Sequence, residues 1–89
     1  MTALRVPVEI AHRDMRVWRL SETIDTGAIR FANRIPFERG TRLHLRFRLP
    51  AGAAVRTEGE LVGEREIVLD AAPPERNAIE AYMEEQLGP

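Results

Sequence analysis

Hydrophobic and polar residues alternate one by one through the middle of the chain. Over residues 41–50, one set of alternate positions holds Leu43, Leu45, Phe47 and Leu49, and the other holds Arg42, His44, Arg46 and Arg48. Successive side chains of a β-strand point to opposite faces, so this pattern predicts a strand with one buried and one exposed face. A helix would distribute the arginines around its whole circumference. We therefore expect the chain to be organised around a β-sheet.

Shorter segments of the same kind surround this strand. Further strands are expected at residues 4–10, 15–20, 28–31, 54–62 and 66–69, separated by turn-forming Gly, Pro and Asp residues. Pro7 favours a strand start or an edge, because proline cannot donate a ladder hydrogen bond. The inward side of the second strand is ambiguous, and we expect Trp18 to be partly exposed. Six short strands with close turns indicate a small antiparallel barrel or sandwich.

The spacing of apolar residues changes to a helical period at the end of the chain. The apolar positions are Ala78, Ile79, Tyr82, Met83 and Leu87, and they predict a helix over residues 74–87. Pro74 suits its first turn, and Gly88-Pro89 ends it. A helix this short is marginal by itself, so its apolar face should dock on the barrel. A barrel over about residues 3–70 and this helix would form a single domain, 1–89.

Charge predicts the register of the hairpin that follows the alternating strand. We expect a loop at Ala51-Gly52-Ala53. The facing pairs are then Arg46 with Glu58 and His44 with Glu60 outside, Leu43 with Leu61 and Leu49 with Val55 inside, and Arg48 with Arg56. Opposite charges that face each other stabilise a sheet by only roughly 0.2–1 kcal/mol, but they help to set register. We interpret the arginine row mainly as structural pairing, with Arg48 and Arg56 marking a place for an anion or acidic partner.

Composition and charge narrow the range of functions. The chain has no cysteine, which excludes disulfides and thiolate chemistry, and it has no signal-peptide pattern or apolar span of membrane length. We expect a cytoplasmic protein without membrane insertion. Residues 1–65 hold twelve arginines against eight acids, and residues 66–89 hold one arginine against six acids. Since the net charge is −1, nucleic-acid binding is not favoured.

The sequence offers little catalytic chemistry. It has one serine, Ser21, and two histidines, His12 and His44, and no spacing links a nucleophile to an activating base. A metal site needs several convergent ligands, whereas His44 lies between arginines. The glycines are isolated and form no phosphate-binding loop. We expect no enzymatic activity and no metal.

The order of these elements resembles the PilZ domain family. The resemblance rests on Arg-Val-Pro-Val at 5–8, Thr-Ile-Asp-Thr-Gly-Ala-Ile-Arg-Phe at 23–31, Pro36 and Gly40-Thr41 before a strand that ends in Leu49-Pro50, Gly-Glu-Leu-Val at 59–62, and the terminal helix. The resemblance covers nearly the whole chain. It implies a six-stranded antiparallel barrel closed by a helix, and many members of the family are bacterial receptors for cyclic di-GMP.

The ligand motifs of that family are mostly missing here. The resemblance implies an Arg-x-x-x-Arg pair before the first strand and an Asp/Asn-x-Ser-x-x-Gly signature at the third, where guanidinium groups contact guanine and phosphate. Arg5 matches the second arginine, but Met1 stands in place of the first. Thr23, Asp25 and Ala28 replace the Asp/Asn, Ser and Gly of the signature. Asp25 would also bring a carboxylate towards an anionic ligand.

Three functional hypotheses follow. We favour a PilZ-like adaptor without a cofactor that contacts a bacterial signalling, motility or pilus protein and does not bind cyclic di-GMP at low micromolar concentration. The first alternative is a cyclic di-GMP receptor with an altered site, whose candidate ligand-binding residues are Arg5, Arg13, Arg16, Thr23, Asp25 and Arg30. The second is a small barrel that binds single-stranded nucleic acid through Trp18, Phe31 and the arginines.

Overall fold

Seven strand segments and one helix form along residues 1–87, which the computed structural model describes. They are β1 (Thr2–Ala3), β2 (Pro7–His12), β3 (Met15–Ile24), β4 (Ala28–Phe31), β5 (Arg42–Arg48), β6 (Ala54–Leu61), β7 (Glu66–Asp70) and α1 (Pro73–Leu87). β1 and β2 follow one another along the same edge of β3. The first strand, which was predicted as one segment over residues 4–10, is therefore divided by an interruption at residues 4–6. β2 starts at Pro7, one of the two placements that the proline favoured, and β3 continues to Ile24, four residues beyond the predicted 15–20.

Antiparallel pairing closes the sheet into a six-stranded barrel. From β3 the ring passes through β2, β5, β6, β7 and β4, and β4 pairs again with β3. Closure satisfies the strand edges that an open sheet would leave unpaired. The mainly β architecture with a C-terminal helix is confirmed.

The alternating residues of β5 form one side of the core. Leu43, Leu45 and Phe47 are buried, and the arginines and histidine between them are exposed, as the sequence predicts. Gly59 on β6 also faces inward, opposite Leu43. Burying one face of each strand in this way gives the barrel its apolar interior.

The helix α1 closes one end of the barrel. Ile79 and Tyr82 are buried and Met83 packs against the core, as predicted. The hydroxyl of Tyr82 donates a hydrogen bond to the carbonyl oxygen of Ala3 over 2.8 Å. This contact joins the helix to the first strand segment.

The two ends of α1 differ in part from the prediction. The helix begins at Pro73, one residue early, and Leu87 is 84% exposed, so its assignment to the docked face is wrong. Leu87 lies in the last turn, beyond the buried residues. The predicted stop at Gly88-Pro89 lies outside the described residues. α1 is too short and too polar to span a membrane, and no other helix occurs within residues 1–87.

The register of the β5–β6 hairpin contradicts the prediction from charge. The observed pairs are Arg42 with Glu60, Leu43 with Gly59, His44 with Glu58, Arg46 with Arg56, Phe47 with Val55 and Arg48 with Ala54. The predicted pairs Arg46–Glu58, His44–Glu60, Leu43–Leu61, Leu49–Val55 and Arg48–Arg56 are therefore wrong.

Turn chemistry explains this difference. The Gly52 N–H donates to the Leu49 carbonyl and the Leu49 N–H donates to the Ala53 carbonyl, each over 2.8 Å. The loop is thus Pro50-Ala51-Gly52, in which Gly52 has a φ of 105° that favours glycine and Pro50 suits the first central position of the turn. Each residue's partner moves by two positions. An even shift keeps every side chain on its predicted face while it changes every pair.

Candidate functional site

Four of the six candidate ligand-binding residues lie around one end of β3. Thr23 lies on β3 between Ala3 of β1 and Arg30 of β4. Arg5 lies in the interruption between β1 and β2, which runs beside the same part of β3. Asp25 follows directly after β3. The tertiary structure therefore brings Arg5, Thr23, Asp25 and Arg30 to one region of the barrel.

The carboxylate of Asp25 holds the turn between β3 and β4. Its Oδ1 atom accepts hydrogen bonds from the N–H groups of Gly27 and Ala28, each over 2.7 Å. An aspartate that bonds the backbone two residues ahead forms an Asx-turn. These hydrogen bonds give Asp25 a structural role in the turn. That its carboxylate disfavours an anionic ligand stays a prediction.

Arg13 and Arg16 lie at the opposite end of β3. Arg13 occupies the β2–β3 turn with a φ of 56°, and Arg16 pairs with Ala11 of β2. A strand rises about 3.3 Å per residue, so the seven residues from Arg16 to Thr23 span about 23 Å. The structure does not bring these two arginines to the region of Arg5 and Arg30.

The side chains of Ser21 and His12 form hydrogen bonds to the backbone, and His44 lies on the exposed face of β5. Ser21 is fully buried; its hydroxyl donates to the Leu4 carbonyl and accepts from the Val6 N–H, at 3.0 Å for the latter. These bonds hold the interruption of the first barrel strand against β3. His12 donates through Nδ1 to the Arg42 carbonyl over 3.1 Å. Within residues 1–87, no group of three or more His, Asp or Glu side chains converges to hold a metal ion.

A row of side chains crosses the outer face of four neighbouring strands. Trp18 on β3 faces Glu9 on β2, Glu9 faces Arg46 on β5, and Arg46 faces Arg56 on β6. Trp18 is 55% exposed, which confirms its predicted partial exposure. Sequence reasoning missed the place of Glu9 in this row. Its opposite charge to Arg46 was the available signal, but the pairing of β2 with β5 is non-local.

A second row lies beside the first. Arg16 on β3 faces Ala11 on β2, Ala11 faces His44 on β5, His44 faces Glu58 on β6, and Glu58 faces Asp70 on β7. The pairing of β2 with both β3 and β5 thus places Arg16 on the same outer face as the arginines of β5. The sequence alone assigned Arg16 to a different candidate site.

Three carboxylates of this face, those of Glu9, Glu58 and Asp70, form ion pairs with arginines. An Nη2 atom of Arg46 lies 2.9 Å from Glu9, whose side chain is only 13% exposed. Arg42 lies 2.6 Å from Asp70 and 3.6 Å from Glu58. The hydrogen bond to Asp70 raises the pKa of Arg42 above its ordinary value. These pairs are exposed to solvent on at least one side, so each is a modest stabilising contact.

Two adjoining grooves follow the rows. The first has a volume of about 580 Å³ and is lined by residues of both rows, and the second has a volume of about 400 Å³ and is lined in part by Pro7, Trp18 and Arg48. Both are lined by Arg46 and Arg56. We call the two together the arginine groove. It combines cationic groups with an exposed aromatic side chain.

Phe31 is fully buried in the barrel. Stacking against bases requires an exposed aromatic face, so the prediction that Phe31 contacts a nucleic acid is wrong. Of the two aromatic residues proposed for such a site, Trp18 is the exposed one.

Comparison with known proteins supports the fold. No protein-family model and no curated protein sequence matches the chain. Among solved structures, the chain is similar to that of the Bacillus subtilis inhibitor of motility (MotI/DgrA), with a TM-score of 0.76 and 23% identity. The similarity covers 97% of this chain and 49% of that one, so this chain spans about half the length of that protein. At this identity the likeness shows a shared fold.

Proposed function

We propose that the chain is a non-enzymatic, PilZ-like adaptor that acts in bacterial signalling, motility or pilus function by contacting another protein. The observation that carries this proposal is the barrel-and-helix fold, shared over 97% of the chain with a protein described as an inhibitor of motility. The order of motifs along the sequence supports the same function. The burial of Ser21 supports a role other than nucleophilic catalysis.

The geometry around β3 favours the adaptor over an altered cyclic di-GMP receptor. Only Arg5 and Arg30 of the candidate arginines lie near Thr23, and Arg13 and Arg16 are at the other end of the strand. Each bidentate arginine contact to guanine that is lost costs on the order of 1–3 kcal/mol. Such a deficit supports our proposal that cyclic di-GMP does not bind at low micromolar concentration.

Isothermal titration calorimetry with cyclic di-GMP tests this part of the proposal. We expect no binding heat at low micromolar concentration for the wild-type chain. Arg5→Ala is the informative variant, and Arg76→Ala is its control because Arg76 lies exposed on α1, away from β3. A low-micromolar isotherm that Arg5→Ala abolishes and Arg76→Ala preserves would establish the altered receptor instead.

A genetic experiment tests the adaptor role. Deletion of the gene in its bacterial host should change swimming or pilus-dependent motility, and expression of the wild-type chain should restore it. Arg5→Ala should restore it equally well, because the proposed role does not use the nucleotide. Unchanged motility and signalling output in the deletion strain would contradict the adaptor function.

A further inference from the structure

The arginine groove has cationic groups that remain available for an anion. The three carboxylates that line it each lie within 3.6 Å of an arginine. Arg13, Arg16 and Arg56 also line the groove, and none of them forms an ion pair with another described residue. The local balance of unpaired charge is therefore positive, although the net charge of the chain is −1.

Arg46 and Arg56 face each other across β5 and β6, and both line the two parts of the arginine groove. Like charges that face each other across a sheet destabilise it, and Glu9 compensates only Arg46. A carboxylate placed over Arg56 would relieve the repulsion and accept the two parallel hydrogen bonds that a guanidinium group offers. The groove thus favours a ligand that carries carboxylates.

The same groove offers an apolar contact beside the arginines. Trp18 is 55% exposed, and Leu20, two residues further along β3, is 37% exposed. Pro7 pairs with Leu20 and lines the groove together with Trp18. Tryptophan and arginine are enriched among the residues that contribute most to binding at protein interfaces.

These features favour a peptide over a nucleic acid. A single-stranded nucleic acid stacks successive bases on several aromatic residues, whereas Trp18 is the one tryptophan of the chain and Phe31 is buried. We propose that the arginine groove binds an acidic segment of a partner protein, with carboxylates on Arg16 and Arg56 and an apolar side chain against Trp18. The inference specifies the partner chemistry of the proposed adaptor function and rests on it.

Trp18 itself provides the measurement. Because the chain has one tryptophan, its fluorescence reports directly on the groove. The probe is a short synthetic peptide in which glutamate and leucine alternate, and the matched control peptide carries glutamine in place of glutamate. We expect the acidic peptide to change Trp18 emission to saturation, with weaker binding at higher salt because the contacts are screened. The glutamine peptide should leave the emission unchanged.

Variants assign the effect to the groove. Arg56→Ala and Arg16→Ala should each weaken binding of the acidic peptide about tenfold, as expected for one charge-assisted contact. Arg76→Ala removes the same charge from α1 and should bind like the wild type. Thermal unfolding of each variant confirms that it is folded. Equal affinity of Arg56→Ala and Arg76→Ala, or no response to the acidic peptide, would overturn the proposal.

The same protein samples distinguish two other ligands of the groove, a nucleic acid and a second copy of the chain. Tighter binding of an oligothymidine than of the acidic peptide would overturn the proposal in favour of nucleic acid. Self-association in sedimentation that Arg56→Ala abolishes would overturn it in favour of a second copy of the chain.

The outcome is separable from that of the adaptor function. If Arg56→Ala restores motility in the deletion strain as well as the wild type, the groove proposal fails and the adaptor function stands. If cyclic di-GMP binds and Arg5→Ala abolishes that binding, the adaptor function fails, and the groove proposal falls with it.

Discussion

At the scale of single residues, Gly59 shows how little space the barrel interior leaves. A Cβ atom at this position would lie 2.5 Å from the carbonyl oxygen of Val68 and 2.6 Å from the side chain of Ile67. Real Cβ atoms do not approach a backbone oxygen so closely, so the neighbouring strand would have to move. Glycine at this position lets β6 and β7 approach each other inside the closed sheet.

Gly59→Ala should destabilise the protein by about 1–3 kcal/mol, the usual cost of inserting a methyl group into a packed interior. Chemical denaturation followed by far-UV circular dichroism measures the change. Gly63→Ala is the control, because no atom lies within 4 Å of its added Cβ and its φ is not positive. If both variants unfold at the same denaturant concentration, the steric explanation is wrong.

At the scale of elements, the arginine row of β5 forms an ion pair with β2. The sequence analysis had matched its charges only with those of β6, the other strand of the hairpin. The partner of Arg46 is Glu9 on β2, at 2.9 Å, and not Glu58 on β6. The sequence prediction failed because it considered only the neighbouring strand of the hairpin. Turn geometry then placed Arg56 opposite Arg46.

A charge reversal distinguishes the two partners. Arg46→Glu places a second carboxylate beside Glu9, but this carboxylate also faces Arg56, so the two effects oppose each other in the single variant. Adding Glu9→Arg should raise the free energy of unfolding of Arg46→Glu by roughly 0.2–1 kcal/mol, because it turns a repulsive pair into an attractive one, whereas adding Glu58→Arg should not raise it. Urea denaturation of the single and double variants measures the difference. Rescue by Glu58→Arg and not by Glu9→Arg would refute the observed pairing.

At the scale of the whole molecule, one hydrogen bond connects the two ends of the chain. The Tyr82 hydroxyl reaches the Ala3 carbonyl across 79 residues of sequence, and Ile79 is buried beside it on α1. In a small domain whose helix is marginal alone, such contacts determine whether the helix stays docked on the barrel.

Tyr82→Phe should remove this hydrogen bond while it preserves the packing of the ring. We expect a loss of about 1 kcal/mol, which in a domain of this size lowers the melting temperature by about 4–8 °C. Differential scanning calorimetry measures the shift. Leu87→Ala, on the exposed last turn of the same helix, should leave the melting temperature unchanged. An equal shift in the two variants would show that the Tyr82 contact is not specific.

The sequence identified several residues of the arginine groove as exposed, but it did not show that they lie together. The exposed faces of Arg46 and Arg56 were predicted correctly, because alternation along a strand assigns each side chain to a face. Alternation left the facing of the Trp18 strand ambiguous, and only the partial exposure of Trp18 was expected. The position of these three side chains in one groove was not predicted, because it depends on the pairing of β2 with β5. The β2–β3 hairpin places Arg16 near its turn and Arg5 beyond its other end, although the sequence grouped the two arginines.

By itself the sequence determined the type and approximate extent of the elements, the inward and outward faces of β5, and the helix that follows residue 72. These properties depend on local periodicity and turn residues, which act between near neighbours in the chain. Only the tertiary structure decided the register of β5 with β6, the pairing of Arg46 with Glu9, and the separation of the candidate arginines. The register depends on the Pro50-Ala51-Gly52 turn, and the Arg46–Glu9 pair depends on the pairing of β2 with β5. The separation of the arginines depends on the β2–β3 hairpin, which holds them at its opposite ends. Many strand alignments satisfy the same alternation of hydrophobic and polar residues, so the alternation alone does not choose among them.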